Sequence, residues 1–291
     1  MASELRNLAA VKAKSEELQI PYANLLSVFV VEEIVVAVSE SEESEHFWLK
    51  NDAVLTLESY KRKAPNRLEY MFSGEEGLTV EDMTHRMRLI FQNEKRTELK
   101  WKYQVEKTGA VVRVHLLGRI EELEIPIELV ISQQMDESLT PEKEELRLFL
   151  QNRQTVEYLH YPVEGLLAEH FTRILKDMEL LGDLNSYYMI WELLRKEMNS
   201  TRKVTEHLEV LMKKYRIPIE KERFEMVCTY RGSSYMKKRW KSYLHRERKT
   251  DPSFEEAMDI MIAYFRPIWD ALTEGNYYLG DWMPELMRYL D

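Results

Sequence analysis

A change of hydrophobic period constrains this chain more than any other feature. Residues 99–106 run Leu-Lys-Trp-Lys-Tyr-Gln-Val-Glu, apolar and polar in alternation. Such a segment is stable as a strand with one face buried and the other wet. Thr108-Gly109 supplies a turn, and Val111–Leu116 and Leu123–Ser132 read as two further strands. From Val163 to the end, the spacing of apolar residues is that of helices. The sheet-forming part and the helix-forming part need separate cores, which predicts an α+β N-terminal domain over 1–145 and an all-helical domain over 146–291. The change of character itself falls between 135 and 160.

The remaining elements follow from local signals. Leu5, Leu8, Val11 and Leu18 predict an amphipathic helix over 3–20, closed by Pro21, and 21–38 is apolar enough for a more buried helix. Ser39–Glu45 is an acidic turn. A helix is expected over Asp52–Tyr60, a basic loop over Lys61–Asn66 and a short strand over Leu68–Phe72. Thr79 with Asp82 three residues on resembles a capping box and starts a helix running to about Asn93. Thr140-Pro141 and Asp251-Pro252 read as helix starts with proline in the first turn, and Pro267 is expected to interrupt the second of these helices.

Composition narrows the setting. Of 291 residues 44% are hydrophobic, enough for a substantial core, and the single cysteine, Cys228, excludes an intrachain disulfide. Leu25–Val31 and Ile34–Val38 are each too short to span a bilayer and are separated by Glu32 and Glu33. With no charged-then-apolar leader at the N-terminus, a cytoplasmic protein without a membrane partner is expected. The net charge of −10 disfavours nucleic-acid binding by the surface as a whole but leaves room for a local basic site. The histidines show no metal-ligand spacing, and Cys228 has no partner that would make it a nucleophile.

Several short segments, in order, carry a resemblance. Leu49-Lys50-Asn51-Asp52-Ala53 follows a helical hairpin. Arg67–Phe72 is a short strand after a basic loop. Ile125-Pro126-Ile127-Glu128-Leu129-Val130-Ile131 is a later strand with one carboxylate. Tyr161-Pro162-Val163-Glu164-Gly165-Leu166-Leu167-Ala168-Glu169-His170 is the closest match, followed by Asn185-Ser186 and Thr229-Tyr230-Arg231. In this order they resemble the Leu-Lys-Gly-Gly, Arg-x-Thr-x-Asp-x-Asp and Tyr-Pro-x-Glu-x-x-x-Ala-Glu-Lys elements of the AbiEii/AbiGii toxin family of nucleotidyltransferases. The resemblance implies a nucleotidyltransferase-like mixed sheet with flanking helices, followed by a helical C-terminal domain. It also implies a toxin–antitoxin or phage-defence setting, in which an active member uses Mg²⁺ and a nucleoside triphosphate with tRNA or protein as acceptor, and an inactive one needs no cofactor.

In that chemistry a hydroxyl attacks the α-phosphate while two Mg²⁺ ions stabilise the attacking and leaving oxygens. Three carboxylates hold the metals, and paired glycines let backbone N–H groups approach the triphosphate. By the resemblance, Glu69 and Glu128 are the candidate catalytic and metal-binding carboxylates, and Lys50, Asn51, Asp52 and His170 the candidate nucleotide contacts. The departures fall on these same positions. Asn51 and Asp52 replace the glycines, and Asp52 adds negative charge where phosphates would lie. Glu69 and Met71 stand at the Asp-x-Asp pair (or Met71 and Ser73 in a register slipped by two), and a thioether is a poor Mg²⁺ ligand. His170 replaces the helical lysine, and Tyr187-Tyr188-Met189-Ile190 replaces a charged segment, as expected of a cleft that has been filled. The pattern points to a pseudoenzyme that acts by binding RNA or a cognate protein. An active divergent nucleotidyltransferase and a structural subunit of a defence complex are the alternatives.

Outside those motifs, Arg231, Lys237, Lys238, Arg239 and Lys241 lie among Tyr230, Tyr235, Trp240 and Tyr243. Basic residues interleaved with aromatics suit RNA or an acidic partner, or else form the solvated face of an amphipathic helix. Trp269, Tyr277, Tyr278 and Trp282 read as a packing cluster.

Overall fold

A computed structural model describes residues 8–74, 78–92, 99–133, 139–150 and 155–290. The chain divides into two compact units, Met1–Met135 with Pro141–Tyr161, and Asp136–Thr140 with Pro162–Asp291.

The first unit contains α1 (Leu8–Leu18), α2 (Tyr22–Ser39), β1 (Phe47–Leu49), α3 (Leu57–Arg62), β2 (Arg67–Phe72), α4 (Val80–Phe91), β3 (Lys100–Thr108), β4 (Val111–Ile120), β5 (Leu123–Gln133), β6 (Glu142–Arg147) and β7 (Thr155–His160). Its seven strands form one mixed sheet in the order β3-β4-β5-β2-β1-β7-β6. The β2–β5 and β1–β7 pairs are parallel and the others antiparallel. Leu49, Tyr70, Ile131 and Val112 are neighbours across four strands, all buried on one face. Helix α2 packs into the same core and joins the two apolar runs into one helix of 18 residues. By length and composition alone that helix could cross a membrane, but Leu25, Phe29, Val31, Ile34 and Val36 are buried within the unit. Glu32 is tolerated there because its Oε1 accepts the Phe149 N–H at 2.8 Å. Gly118 on β4 gives α2 room, since a Cβ there would meet Val30 Cγ1 at 2.8 Å.

The second unit contains α5 (Val163–Asp177), α6 (Asn185–Lys196), β8 (Asn199–Ser200), α7 (Thr201–Tyr215), α8 (Lys221–Thr229), α9 (Ser234–Arg246), α10 (Phe254–Thr273), β9 (Asp281–Met283) and β10 (Arg288–Leu290). Phe171 stacks on Phe265 at 3.8 Å between centroids and meets Trp269 edge-on, fixing α5 against α10. Trp282 packs edge-to-face on Tyr264 and Tyr289. Trp269 and Trp282 are buried packing residues, whereas Tyr277 is exposed and donates to Glu209.

The α+β class is as read from the sequence, and the structure corrects several details. Thr140-Pro141 opens β6, not a helix. Its Glu-Lys-Glu-Glu composition suits a helix, but Leu146 is buried opposite Val156 of β7 and the charges project from the last strand of the sheet. Both strands therefore belong to the first unit, and the division falls at 161 instead of 145. The Asp52–Tyr60 helix is a 3-10 turn over Asp52–Leu55 followed by α3, capped by Thr56. Ser253, not Asp251, caps α10, in a full capping box with Glu256, and α10 runs through Pro267 without a break. The helical unit also carries a three-stranded sheet in the order β10-β9-β8. Residues 3–7 of the expected first helix, and Asn93, lie outside the described residues.

Candidate functional site

The pleat sorts the candidate residues. With Leu68, Tyr70 and Phe72 in the core, Arg67, Glu69 and Met71 fall on the opposite face. Register then assembles two rows across four strands on that face. One row is Arg67, Glu128, His115 and Gln104. The other is Glu69, Val130, Arg113 and Glu106. Charges of opposite sign meet along and between the rows. Arg67 Nε lies 3.0 Å from Glu69 Oε1, within ion-pair range though not aligned for a hydrogen bond. Arg67 Nη1 lies 3.8 Å from Glu128 Oε2, Arg113 Nη1 donates to Glu128 Oε1 at 2.6 Å, and His115 Nε2 is 3.2 Å from Glu106. Met71 occupies the next position on β2 and is buried. Ser73 lies past the strand end, with its N–H on the His46 carbonyl.

The sheet does bring Glu69 and Glu128 to one face, but a guanidinium stands between them. A Mg²⁺ ion needs near-octahedral oxygen ligation, and here Arg67 lies against Glu69 Oε1 and Glu128 Oε2 and Arg113 against Glu128 Oε1. No group of three or more His, Cys, Asp or Glu side chains with metal-site geometry occurs among the described residues. The residues present do not fit a Mg²⁺ pair.

The segment after β1 is equally engaged. Asn51 Oδ1 accepts the Glu69 N–H at 2.8 Å and its Nδ2 donates to the Arg67 carbonyl at 3.2 Å, so the side chain extends the β1–β2 ladder by one rung. The Lys50 N–H donates to the Glu69 carbonyl at 2.8 Å, and its ammonium sits over the Tyr161 ring, 4.8 Å from the centroid. Asp52 accepts from the Tyr158 hydroxyl at 3.3 Å and faces His160 Nε2 at 3.5 Å. Burial would raise the Asp52 pKa, but His160 and then Tyr158 outweigh it and hold the carboxyl below its usual 3.8. Burial would lower that of His160, but Asp52, with Glu144 and Glu142 on β6, holds it above 6.5. All three positions of the expected nucleotide loop thus have partners within the first unit.

His170 belongs to α5 of the second unit, half-buried, with Nδ1 3.3 Å from Ser186 Oγ. Of the basic candidates, Arg231 forms a two-pronged pair with Asp259 at 2.5 and 2.8 Å, and Lys237 meets Glu255 at 2.5 Å; the first ties the 3-10 turn before α9 to α10, the second the first turn of α9. Arg239 donates to the carbonyls of Glu179, at 2.8 Å, and Leu181. Lys238 and Lys241 are exposed, with no carboxylate in ion-pair range among the described residues. Tyr187 and Tyr188 are buried in the core of the second unit.

No family model matches the chain, and no curated protein does. Among solved structures, a "putative nucleotidyltransferase from H. pylori" is similar at 12% identity with a TM-score of 0.41, covering 88% of this chain and 98% of that one.

Sequence reasoning missed Arg113, Tyr158 and His160 and gave Arg67 no role. Thr155-Val-Glu-Tyr-Leu-His does alternate, and that period was the available signal for β7 and its two polar side chains. Arg113 had none, because its approach to Glu128 depends on cross-strand register.

Proposed function

We propose that this chain is a catalytically impaired member of the nucleotidyltransferase-like proteins of toxin–antitoxin or phage-defence systems, acting by binding an RNA or protein partner. The observation that carries the reading is Arg67, at 3.0 Å from Glu69 and 3.8 Å from Glu128. Where the resemblance implies carboxylates sharing divalent metal, a fixed guanidinium supplies the positive charge, and it cannot exchange, ligate water or activate a hydroxyl. The engagement of Asn51 with the strand ladder and the charge of Asp52 support the same reading, since both occupy positions where the resemblance places glycines beside phosphates.

The test is thermal unfolding of the full chain with each of the four nucleoside triphosphates, with and without Mg²⁺. A ligand at about 100 times its Kd adds about 2.7 kcal/mol of stability, an easily seen shift. The expected result is no Mg²⁺-dependent shift with any of them. A shift specific to one triphosphate with Mg²⁺ would overturn the reading in favour of an active, divergent nucleotidyltransferase.

A further inference from the structure

Helix α9 carries one stripe, Tyr235, Lys238, Arg239, Ser242, Tyr243 and Arg246, whose spacings of three and four residues place them side by side. The stripe forms one wall of a groove of about 350 Å³, and Gly182–Leu184 forms the other. Arg239 fixes the groove's shape by donating to the carbonyls of Glu179 and Leu181, which pins that loop to the helix. These acceptors are neutral, so the guanidinium charge is not cancelled there. The same guanidinium lies 5.5 Å from the centroid of the Tyr235 ring, and Tyr235 is 60% exposed. Further along the helix, Arg246 is also exposed and lies 5.6 Å from the Tyr243 ring and 3.1 Å from Glu247, the single acidic residue between 234 and 249. Lys238 is exposed beside them. The one carboxylate in the lining, Asp183, is 3.6 Å from Arg173.

We infer that this groove binds single-stranded nucleic acid, with a base stacked on Tyr235 and backbone phosphates met by Lys238 and Arg246. The inference rests on the partner-binding reading above and names the partner class. Charge alone would serve an acidic peptide equally well. An exposed ring beside a guanidinium adds a flat π-surface with an adjacent cation, which suits a nucleobase face. A duplex hides its base faces, so the strand must be single. The overall charge of −10 gives no general attraction for polyanions and makes this groove the determinant of binding.

The experiment is fluorescence anisotropy of the full chain with a short labelled single-stranded RNA, compared with the same sequence as a duplex and with labelled polyglutamate. Variants are Tyr235→Ala, Tyr235→Phe, Lys238→Glu and, on the exposed face of α7, Lys203→Glu as a charge-matched control. Saturable binding that prefers the single strand is expected. Tyr235→Ala should weaken it roughly tenfold while Tyr235→Phe retains it. Lys238→Glu should weaken it and reduce the slope of log K against log salt by about 0.7 for each phosphate no longer neutralised. Lys203→Glu should leave it unchanged, and unfolding midpoints should match across the set. No saturable binding, equal binding by Tyr235→Ala, or equal affinity for the duplex would overturn the proposal. Polyglutamate binding that is indifferent to Tyr235 would overturn it in favour of an acidic protein. A Mg²⁺-triphosphate shift in a sample that still binds RNA through Tyr235 would refute the loss of catalysis alone. Failure to bind RNA with no triphosphate shift would refute the groove alone.

Discussion

Arg67 decides what the polar face of the first unit can hold. Its removal should expose two carboxylates to each other, with Glu128 still held at 2.6 Å by Arg113. Arg67→Ala should therefore lose little stability, on the order of 1 kcal/mol, because the pairs are about a third exposed. It should also gain a Mg²⁺-dependent rise in Tm that the unaltered protein lacks. A variant indifferent to Mg²⁺ would show that the two carboxylates are too far apart, or too well held elsewhere, to share a cation. The Asp52–His160 pair makes stability depend on pH. His160 is held above its usual 6.5, so its contribution is complete below about pH 6.5 and is lost as pH rises through the folded value. Asp52 is held below 3.8, so its contribution is complete above that and is lost as pH falls through the lower folded value. The pair thus stabilises most between the two. The Tm difference between the unaltered protein and His160→Gln should be largest near pH 6 and shrink as pH rises to 9. A constant difference over that range would mean that the imidazole acts through packing alone.

At the scale of elements, the pairing of β1 with β2 depends on a side chain. Asn51→Gly should remove two hydrogen bonds, leaving the Glu69 N–H and the Arg67 carbonyl without their present partners. A loss of about 1–3 kcal/mol is expected, read as a lower denaturant midpoint at unchanged m-value. A loss within error would mean that water replaces the amide at no cost. Strands β3, β4 and β5 announce themselves by alternation, and Gly109 sits at φ +63° in the turn between the first two. Helix α4 begins at Thr79 as its cap predicts, with the Thr79 hydroxyl accepting the Asp82 N–H at 3.1 Å. Strand β6 was unreadable because its residues favour a helix and only pairing with β7 makes it a strand. The shared face of Glu69 and Glu128 follows from strand parity once β2 and β5 are known to be parallel neighbours. That Arg67 lies beside Glu69 follows from the same parity, but that Arg67 and Arg113 also reach Glu128 follows only from the register Arg67↔Glu128 and His115↔Glu128, which no local pattern encodes.

At the scale of the whole molecule, each unit has its own core. The first is built on α2 and the buried face of the sheet, the second on aromatic residues of α5, α8 and α10. The balance of 51 acidic against 41 basic residues gives the net charge of −10, yet its distribution is uneven. Glu69 and Glu128 have arginines beside them, and Asp52 has His160. By contrast, α9 presents Lys238 and Lys241 to solvent without carboxylate partners among the described residues. A single net charge would have concealed both facts.

The rung that Asn51 adds between β1 and β2 also bears on how this chain can change under selection. A residue at that position is judged by whether the strand pair closes before it is judged by anything a ligand does there. A small side chain there opens space at the loop and gives up both hydrogen bonds at once. If Asn51→Gly costs the about 1–3 kcal/mol expected above, drift at this position is confined to residues that can both accept from the strand and donate to it, and the route toward a glycine-lined loop meets a folding cost before any gain in function.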